Sequence, residues 1–260
     1  MQKDDIFKND FGAKFSFNKE VASVFDDMLP RSVPYYKDNI ALITEIVADK
    51  RVICDLGCST GNLLLFLAQK FPQINLFGVD NSAPMLEIAR AKARAYGTNV
   101  HFIEADILDF DFKVPLNLGV LGVNQVKDSQ DSRQKDAFTT KFDSIISNYT
   151  MQFIRPQKRE SLCKKIYQNL QKNGIFVMSE KLVCENAWLD KKLIDIYHAF
   201  KAQNGYSKTE ISKKREALEN ILIPFSENEN IAMLKGAGFG AVEVVFRFGN
   251  FATFIALKGD

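Results

Sequence analysis

The most constraining feature of the chain is an apolar strand that runs into a glycine loop and then a helix. Val52-Ile53-Cys54 leads into Asp55-Leu56-Gly57-Cys58-Ser59-Thr60-Gly61, and a helical pattern follows over 63–71. A unit of this kind puts its loop at the C-terminal edge of a sheet, where open α/β folds bind nucleotides. The alternation then repeats. Residues 74–79, 100–105, 144–147 and 175–178 read as strands, and 84–96 and 159–170 as helices. Pro84 suits a first helical turn, where its missing N–H costs nothing. Strand–helix alternation predicts a mostly parallel sheet covered on both faces.

The C-terminal end breaks that rhythm. Ser226-Glu227-Asn228-Glu229 is a capping box opening a helix that stops near Gly236 and Gly238. Strands over 242–248 and 251–257 are joined by Gly249-Asn250, a tight hairpin link, so the last strand should run antiparallel. Three regions lie outside the core pattern. Residues 1–50 are Phe-rich and read as a helical lid on a domain spanning 51–260. Within that domain, 114–140 reads as an inserted loop with a polar run over 127–136, and 187–223 as a helical insertion rich in Lys and Glu.

Composition narrows the class. A chain of 260 residues, 46% hydrophobic and 25% charged, is not disordered, and buries roughly 73% of its unfolded surface. No apolar run approaches the ~20 residues of a membrane span, and no apolar segment follows Met1-Gln2-Lys3-Asp4-Asp5 as in a signal peptide. Cys54, Cys58, Cys163 and Cys184 lack metal-ligand spacing and read as reduced thiols, which points to the cytoplasm and to no bound metal. A net charge of +2 and mixed-sign Lys/Glu helices offer no basic stripe, so direct binding of the protein to nucleic acid is not expected.

The strand ends carry the chemistry. Gly57 and Gly61 are spaced Gly-x-x-x-Gly, not as the dinucleotide fingerprint, and a shorter loop with one acid just upstream suits a cationic ligand without pyrophosphate, or else the segment is a mere turn. Asp80 ends the second strand, where a carboxylate can accept from both ribose hydroxyls, or cap the next helix. Asp106 can accept from an exocyclic amine, with Ile107 against the ring, and Asn148 ends the fourth strand. Polar residues at four consecutive strand ends point to one ligand over one sheet edge.

Asp55-Leu56-Gly57-Cys58-Ser59, Asp80 and Asp106 resemble the S-adenosylmethionine-binding positions of class I methyltransferases. Arg31-Ser32-Val33-Pro34-Tyr35-Tyr36, Gly205-Tyr206-Ser207 and Ile211-Ser212-Lys213-Lys214-Arg215 are similar to motifs of the carboxy-S-adenosylmethionine synthases, which serve the tRNA wobble-uridine oxyacetyl modification. The resemblance covers about 15–258, outside the 114–140 loop. It implies a Rossmann-like, mostly parallel seven-stranded sheet with an antiparallel C-terminal strand, and a homodimer. It also implies conversion of S-adenosylmethionine and prephenate to carboxy-S-adenosylmethionine and phenylpyruvate.

Carried over, Tyr36, Gly57, Cys58, Ser59, Asp80, Asn81, Asp106, Ile107, Asn148 and Arg215 contact the nucleoside, and Arg215 anchors the new carboxylate. Two departures stand out. Tyr35 occupies the place where the family motif has Gly, and the 114–140 segment is longer than the family connection. His198 could orient a substrate but reads first as a structural or surface histidine, His101 reads as uninvolved, and Cys58 as a small loop residue, not a nucleophile. The alternatives are a methyltransferase acting on a small molecule or RNA, and a non-catalytic carrier of the nucleoside.

Overall fold

The computed structural model describes residues 3–8, 15–115, 138–139 and 141–259. The polar run expected over 127–136 lies outside them. Two helices come first, α1 (Lys19–Ser32) and α2 (Tyr36–Ile46). The Asn18 side chain accepts the Val21 N–H at 3.0 Å and so satisfies one of the free donors that begin α1. The alternating core follows: β1 (Val52–Leu56), α3 (Asn62–Lys70), β2 (Asn75–Asp80), α4 (Ala83–Tyr96) and β3 (Val100–Glu104). Ser82, not Asp80, caps α4 through its side chain, and Gly97 ends that helix in the left-handed conformation at φ +63°.

After β3 the short strands β4 (Val114–Pro115) and β5 (Phe138–Thr139) pair antiparallel with each other. Then come β6 (Phe142–Asn148), α5 (Pro156–Asn169), β7 (Leu170–Lys181), α6 (Ala187–Gln203), α7 (Lys208–Ala217), α8 (Glu227–Gly236), β8 (Ala241–Phe248) and β9 (Phe251–Leu257). The strand expected over 175–178 is the inner part of β7. That strand starts at Leu170 because Phe142 of β6 offers a partner there before the register shifts.

Seven strands form one sheet in the order β3-β2-β1-β6-β7-β9-β8. β1, β2, β3, β6 and β7 are parallel, while β9 runs antiparallel to both β7 and β8. The C-terminal hairpin forms as expected. Phe248 pairs with Phe251 across the link, and Gly249 takes φ +55°, which a residue without a Cβ adopts at no steric cost. The capping box at Ser226 is present, with a second at Ser207.

Both faces of the inner strands are covered, while the outer strands β3 and β8 are partly exposed. All five β1 residues are buried. Val52, Cys54 and Leu56 pack into the layer that holds Leu162, Cys163 and Ile166 of α5 and Met233 and Leu234 of α8. Ile53 points the other way, towards Ile40 and Ile43 of α2 and Leu63, Leu64 and Leu67 of α3. Each such side chain, once buried, stabilises the fold by about 1.5–3 kcal/mol. A third cluster joins Phe7, Phe15, Phe25 and Met28 to Met85, so the Phe-rich segment builds a core of its own beside α4. All four cysteines are free.

Candidate active site

A cavity of about 1000 Å³ opens over the C-terminal ends of β1, β2, β3 and β6. Phe17, Phe25 and Met28 line it from the N-terminal side, and Tyr197, Lys201 and Arg215 from α6 and α7. All ten residues singled out from the sequence line this one cavity: Tyr36, Gly57, Cys58, Ser59, Asp80, Asn81, Asp106, Ile107, Asn148 and Arg215.

One end is acidic, and its shape comes from the backbone. The Gly57 and Cys58 N–H groups both donate to Val79 O, at 2.7 and 3.1 Å, which folds the loop onto β2. Gly57 stands at φ +77°, and a Cβ there would collide with the Thr150 side chain. Asp80 Oδ2 accepts the Ser59 N–H at 2.9 Å and Oδ1 accepts the Ser82 N–H at 2.8 Å. Each oxygen is thereby aimed while keeping a second lone pair for a diol. Asp106 is fixed in the same way, its Oδ1 accepting the Leu108 N–H at 2.9 Å.

Among the described residues, two acceptors at this end have no protein donor. Asp55 Oδ1 and Asn148 Oδ1 are both buried without a hydrogen-bond partner. An acceptor left in that state costs roughly 1–3 kcal/mol, which a ligand carrying amino or ammonium donors recovers. Burial, and then the neighbouring Asp80 charge, push the Asp55 carboxyl up to about 7. The same residues therefore fit a cationic nucleoside. Burial also drives the Cys58 thiol well above its ordinary value, and the flanking Asp55 and Asp80 add to this, so it is no nucleophile. Cys58 has a packing role, because Gly78 leaves room for its sulfur and a Cβ there would strike it.

Tyr36 enters the cavity from a turn with a cost. Tyr35 precedes α2 at φ +53° and ψ +33°, the left-handed conformation that the expected Gly would adopt freely. The Tyr35 ring is half in solvent and meets Phe248 edge-on at 4.7 Å. Its neighbour Tyr36 is buried, which raises its phenol pKa and keeps it protonated.

The other end of the cavity is basic. Lys181 from β7, His198 and Lys201 from α6, and Arg215 from α7 all line it. The ammonium groups of Lys181 and Lys201 lie over the Tyr197 ring, 5.0 and 4.4 Å from its centroid. The Tyr197 hydroxyl donates to Ser32 O at 2.8 Å. Lys201 is only 4% exposed. Burial, followed by repulsion from Lys214, Lys181 and Arg215, lowers it to about 7. His198 is likewise lowered, by burial and then by Lys201, Arg215 and Lys181.

Behind this end, the three flanking motifs meet. Arg31 donates to Asn204 O at 2.8 Å and to Asp27 Oδ2 at 2.8 Å, and stacks 4.1 Å from the Tyr206 ring centroid. The Tyr206 hydroxyl donates to the buried Asp4 carboxylate. Lys214 donates to Ser32 Oγ at 2.8 Å and faces Asp4 at 3.8 Å. Residues far apart in sequence thus make one network that holds α1, α6 and α7 together beside the cavity.

Reading the residues alone points to the acid upstream of the glycine loop, Asp55, as suiting a cation, but misses Lys181, Tyr197 and Lys201 altogether. It also leaves His198 outside the site. A signal was present: Ile194, Tyr197, His198 and Lys201 share one helical stripe. A lysine in such an inward stripe is either neutralised or waiting for an anion.

This sheet order with a strand-end cavity defines the S-adenosylmethionine-dependent methyltransferase fold class. The methyltransferase-domain family model matches residues 48–219. An S-adenosylmethionine-dependent methyltransferase from Thermotoga maritima superposes with TM-score 0.58 at 16% identity, over 93% of this chain and 98% of that one. Human N-acetylserotonin methyltransferase gives TM-score 0.58 at 13% identity, over 93% of this chain and 56% of that longer one. Within the class, the chain belongs to the carboxy-S-adenosyl-L-methionine synthase family. It is 47% identical to the Campylobacter jejuni subsp. jejuni synthase over 98% of this chain and 99% of that one. It is 49% identical to the Nautilia profundicola synthase over 98% and 100%. S-adenosylmethionine is the substrate of that family. Among the described residues no cluster of His, Cys, Asp and Glu could hold a metal ion, and no helix is long and apolar enough to cross a membrane.

Proposed function

We propose that the protein converts S-adenosyl-L-methionine and prephenate to carboxy-S-adenosyl-L-methionine and phenylpyruvate. The observation that carries this reading is the two-ended cavity, with carboxylates for a cationic nucleoside at one end and cations at the other. A methyl transfer to a neutral acceptor has no use for that second end. The family membership supports the same reaction.

The chemistry balances without an outside reagent. The bond from the prephenate ring to its carboxylate breaks, and its electron pair aromatises the ring and expels the ring hydroxyl as hydroxide. Hydroxide takes a proton from the sulfonium methyl group, giving water and an ylide carbon that attacks the released carbon dioxide. The protein holds the partners in register, which is worth up to ~7–11 kcal/mol of barrier. In this reading Asp80 and Asn81 hold the ribose, and Asp106 and Ile107 the adenine. Gly57, Cys58 and Ser59 line the loop, and Tyr36 and Asn148 bound the methionyl side. Arg215 receives the new carboxylate as a bidentate cation.

Incubation with S-adenosylmethionine and prephenate should yield a nucleoside heavier by one carboxyl group. S-adenosylhomocysteine with a methylated acceptor, and no carboxylated product, would instead establish the methyltransferase reading.

The remaining parts of the proposal concern context. We place the enzyme in the cytoplasm as a supplier of the carboxymethyl donor for tRNA wobble-uridine modification, with its product and not the protein reaching RNA. Residues 1–50 and the 187–223 helices act as the lid, although α2 within the first stretch also serves the core. A homodimer is supported by the apolar outer face of α6. There Trp188 is 69% and Ile196 53% exposed, and Ile196 joins Tyr35 and Phe248 along a groove. Sedimentation should give twice the chain mass, and a monomer would remove this part.

A further inference from the structure

We infer that Lys201 is a substrate-binding residue that pairs with the carboxylate prephenate keeps, the one that leaves the enzyme in phenylpyruvate. The inference rests on the proposed function and adds to it an address for the co-substrate. Among the described residues the Lys201 ammonium meets no carboxylate and no hydrogen-bond acceptor. It lies over the Tyr197 ring in the cavity wall, nine-tenths buried. Its neighbour Lys214 shows what a satisfied lysine looks like here, with Ser32 Oγ at 2.8 Å and Asp4 at 3.8 Å.

The charges that act on Lys201 share one sign, Lys214 and Arg215 from α7 and Lys181 from β7. His198 on its own helix is lowered by burial and then by Lys201, Arg215 and Lys181, against the opposing Asp195, and Glu216 and Glu219 also line the cavity. Beyond Lys214 the network holds Arg31, with Asp4 and Asp27 already engaged by it and by Tyr206. An unpaired ammonium among cations is tolerated because it sheds its proton easily, and an arriving carboxylate restores it.

The choice between the two prephenate carboxylates follows from the reaction. The ring carboxylate departs as neutral carbon dioxide. A cation bound to it would stabilise the ground state over the transition state and slow the step. A cation on the side-chain carboxylate is paired equally before and after, so it binds without opposing chemistry. Phenylpyruvate retains that second carboxylate and only that one, which makes it a selective probe.

The test uses the full chain with Lys201→Met, which keeps the length of the side chain and removes the charge. The KM for prephenate should rise about tenfold to a hundredfold, and the inhibition constant of phenylpyruvate should rise by a similar factor. The Kd for S-adenosylmethionine should stay within about twofold, and it doubles as the folding check; Lys201→Arg should recover part of the loss. If Lys201→Met does not fold, the wild-type enzyme answers instead. Phenylpyruvate inhibition should weaken above about pH 7 while S-adenosylmethionine affinity does not.

A raised KM with unchanged phenylpyruvate inhibition would overturn the assignment, because Lys201 would then hold the departing carboxylate. Unchanged values for both would overturn it as well. A wild-type enzyme that makes no carboxylated nucleoside from prephenate would instead overturn the proposed function, which separates the two failures.

Discussion

The acidic and basic ends of the cavity are built by different means. At the acidic end, Asp80 ends β2 and Asp106 follows β3, and backbone N–H groups aim both: Ser82 and, from the glycine loop, Ser59 for Asp80, and Leu108 for Asp106. At the basic end, Lys181, Lys201 and Arg215 come from three separate elements, and no backbone bond orients their charged tips among the described residues. The first end is preorganised and ready for a ligand that recurs across the fold class. The second is a set of mutually repelling cations, higher in energy until an anion arrives. In the proposed reading a general nucleoside site is joined to a reaction-specific anion site, and the second end separates carboxyl transfer from methyl transfer.

Removing Arg215 should break the comparison most severely. Arg215 is exposed in the ligand-free chain. In the proposed reading the new carboxylate pairs with it inside the cavity, and removing that partner with Arg215→Ala typically costs about 2–5 kcal/mol. Carboxylated product should fall by two to three orders of magnitude in a coupled mass-spectrometric assay, with S-adenosylmethionine still bound. Full turnover would show that the basic end is not the carboxyl site. Asp80→Ala should act on the opposite end, weakening S-adenosylmethionine by about ten- to a hundredfold through two lost charge-assisted bonds. Calorimetry should find the Kd changed and the KM for prephenate nearly unchanged. Equal loss of both would mean that the two ends are not separable.

Asp55 sharpens the comparison through pH. Its folded value, about 7, lies above the unfolded 3.8, so the folded state binds the proton more tightly. The associated stability is full below the unfolded value and is lost as pH rises from about 4 through 7. Asp55→Asn removes that penalty, so at pH 8 the ligand-free variant should melt several degrees higher than wild type. The same change should weaken S-adenosylmethionine, because an amide cannot offer a charge to an ammonium. Calorimetric melting and binding should therefore move in opposite directions. A lower Tm with unaltered affinity would make Asp55 purely structural.

The acidic end was legible in the sequence because its parts are local. Strand, acid and glycine loop follow one another from Val52 to Gly61, and Asp80, Asp106 and Asn148 each lie at or just past the end of their own strand. Of the basic end only Arg215 was legible, through the resemblance of its motif; the lysines were not, because burial is a tertiary fact. Lys213-Lys214-Arg215 looks like a solvated run, yet Lys214 turns inward to Asp4 while Arg215 lines the cavity. Lys201 becomes meaningful only once α6 is laid against β7 and α7. The sheet shows the same division. Gly249-Asn250 announces a hairpin, but a two-residue link cannot say that β9 slips between β7 and β8.

The smallest effect should come from Tyr35, which touches neither end but sets the entry of Tyr36. At φ +53° a tyrosine costs about 1–2 kcal/mol that a glycine would not. Against this, Tyr35→Gly loses the edge contact with Phe248, worth about 0.5–1.5 kcal/mol, and gains unfolded-state freedom. These nearly cancel, so Tm should shift by no more than about 2–4 °C in either direction. Because the turn keeps its conformation, the S-adenosylmethionine Kd and the prephenate KM should both stay within about threefold. A larger loss confined to S-adenosylmethionine would show that the tyrosine, through its grip on Phe248, holds Tyr36 in place and so belongs to the acidic end after all.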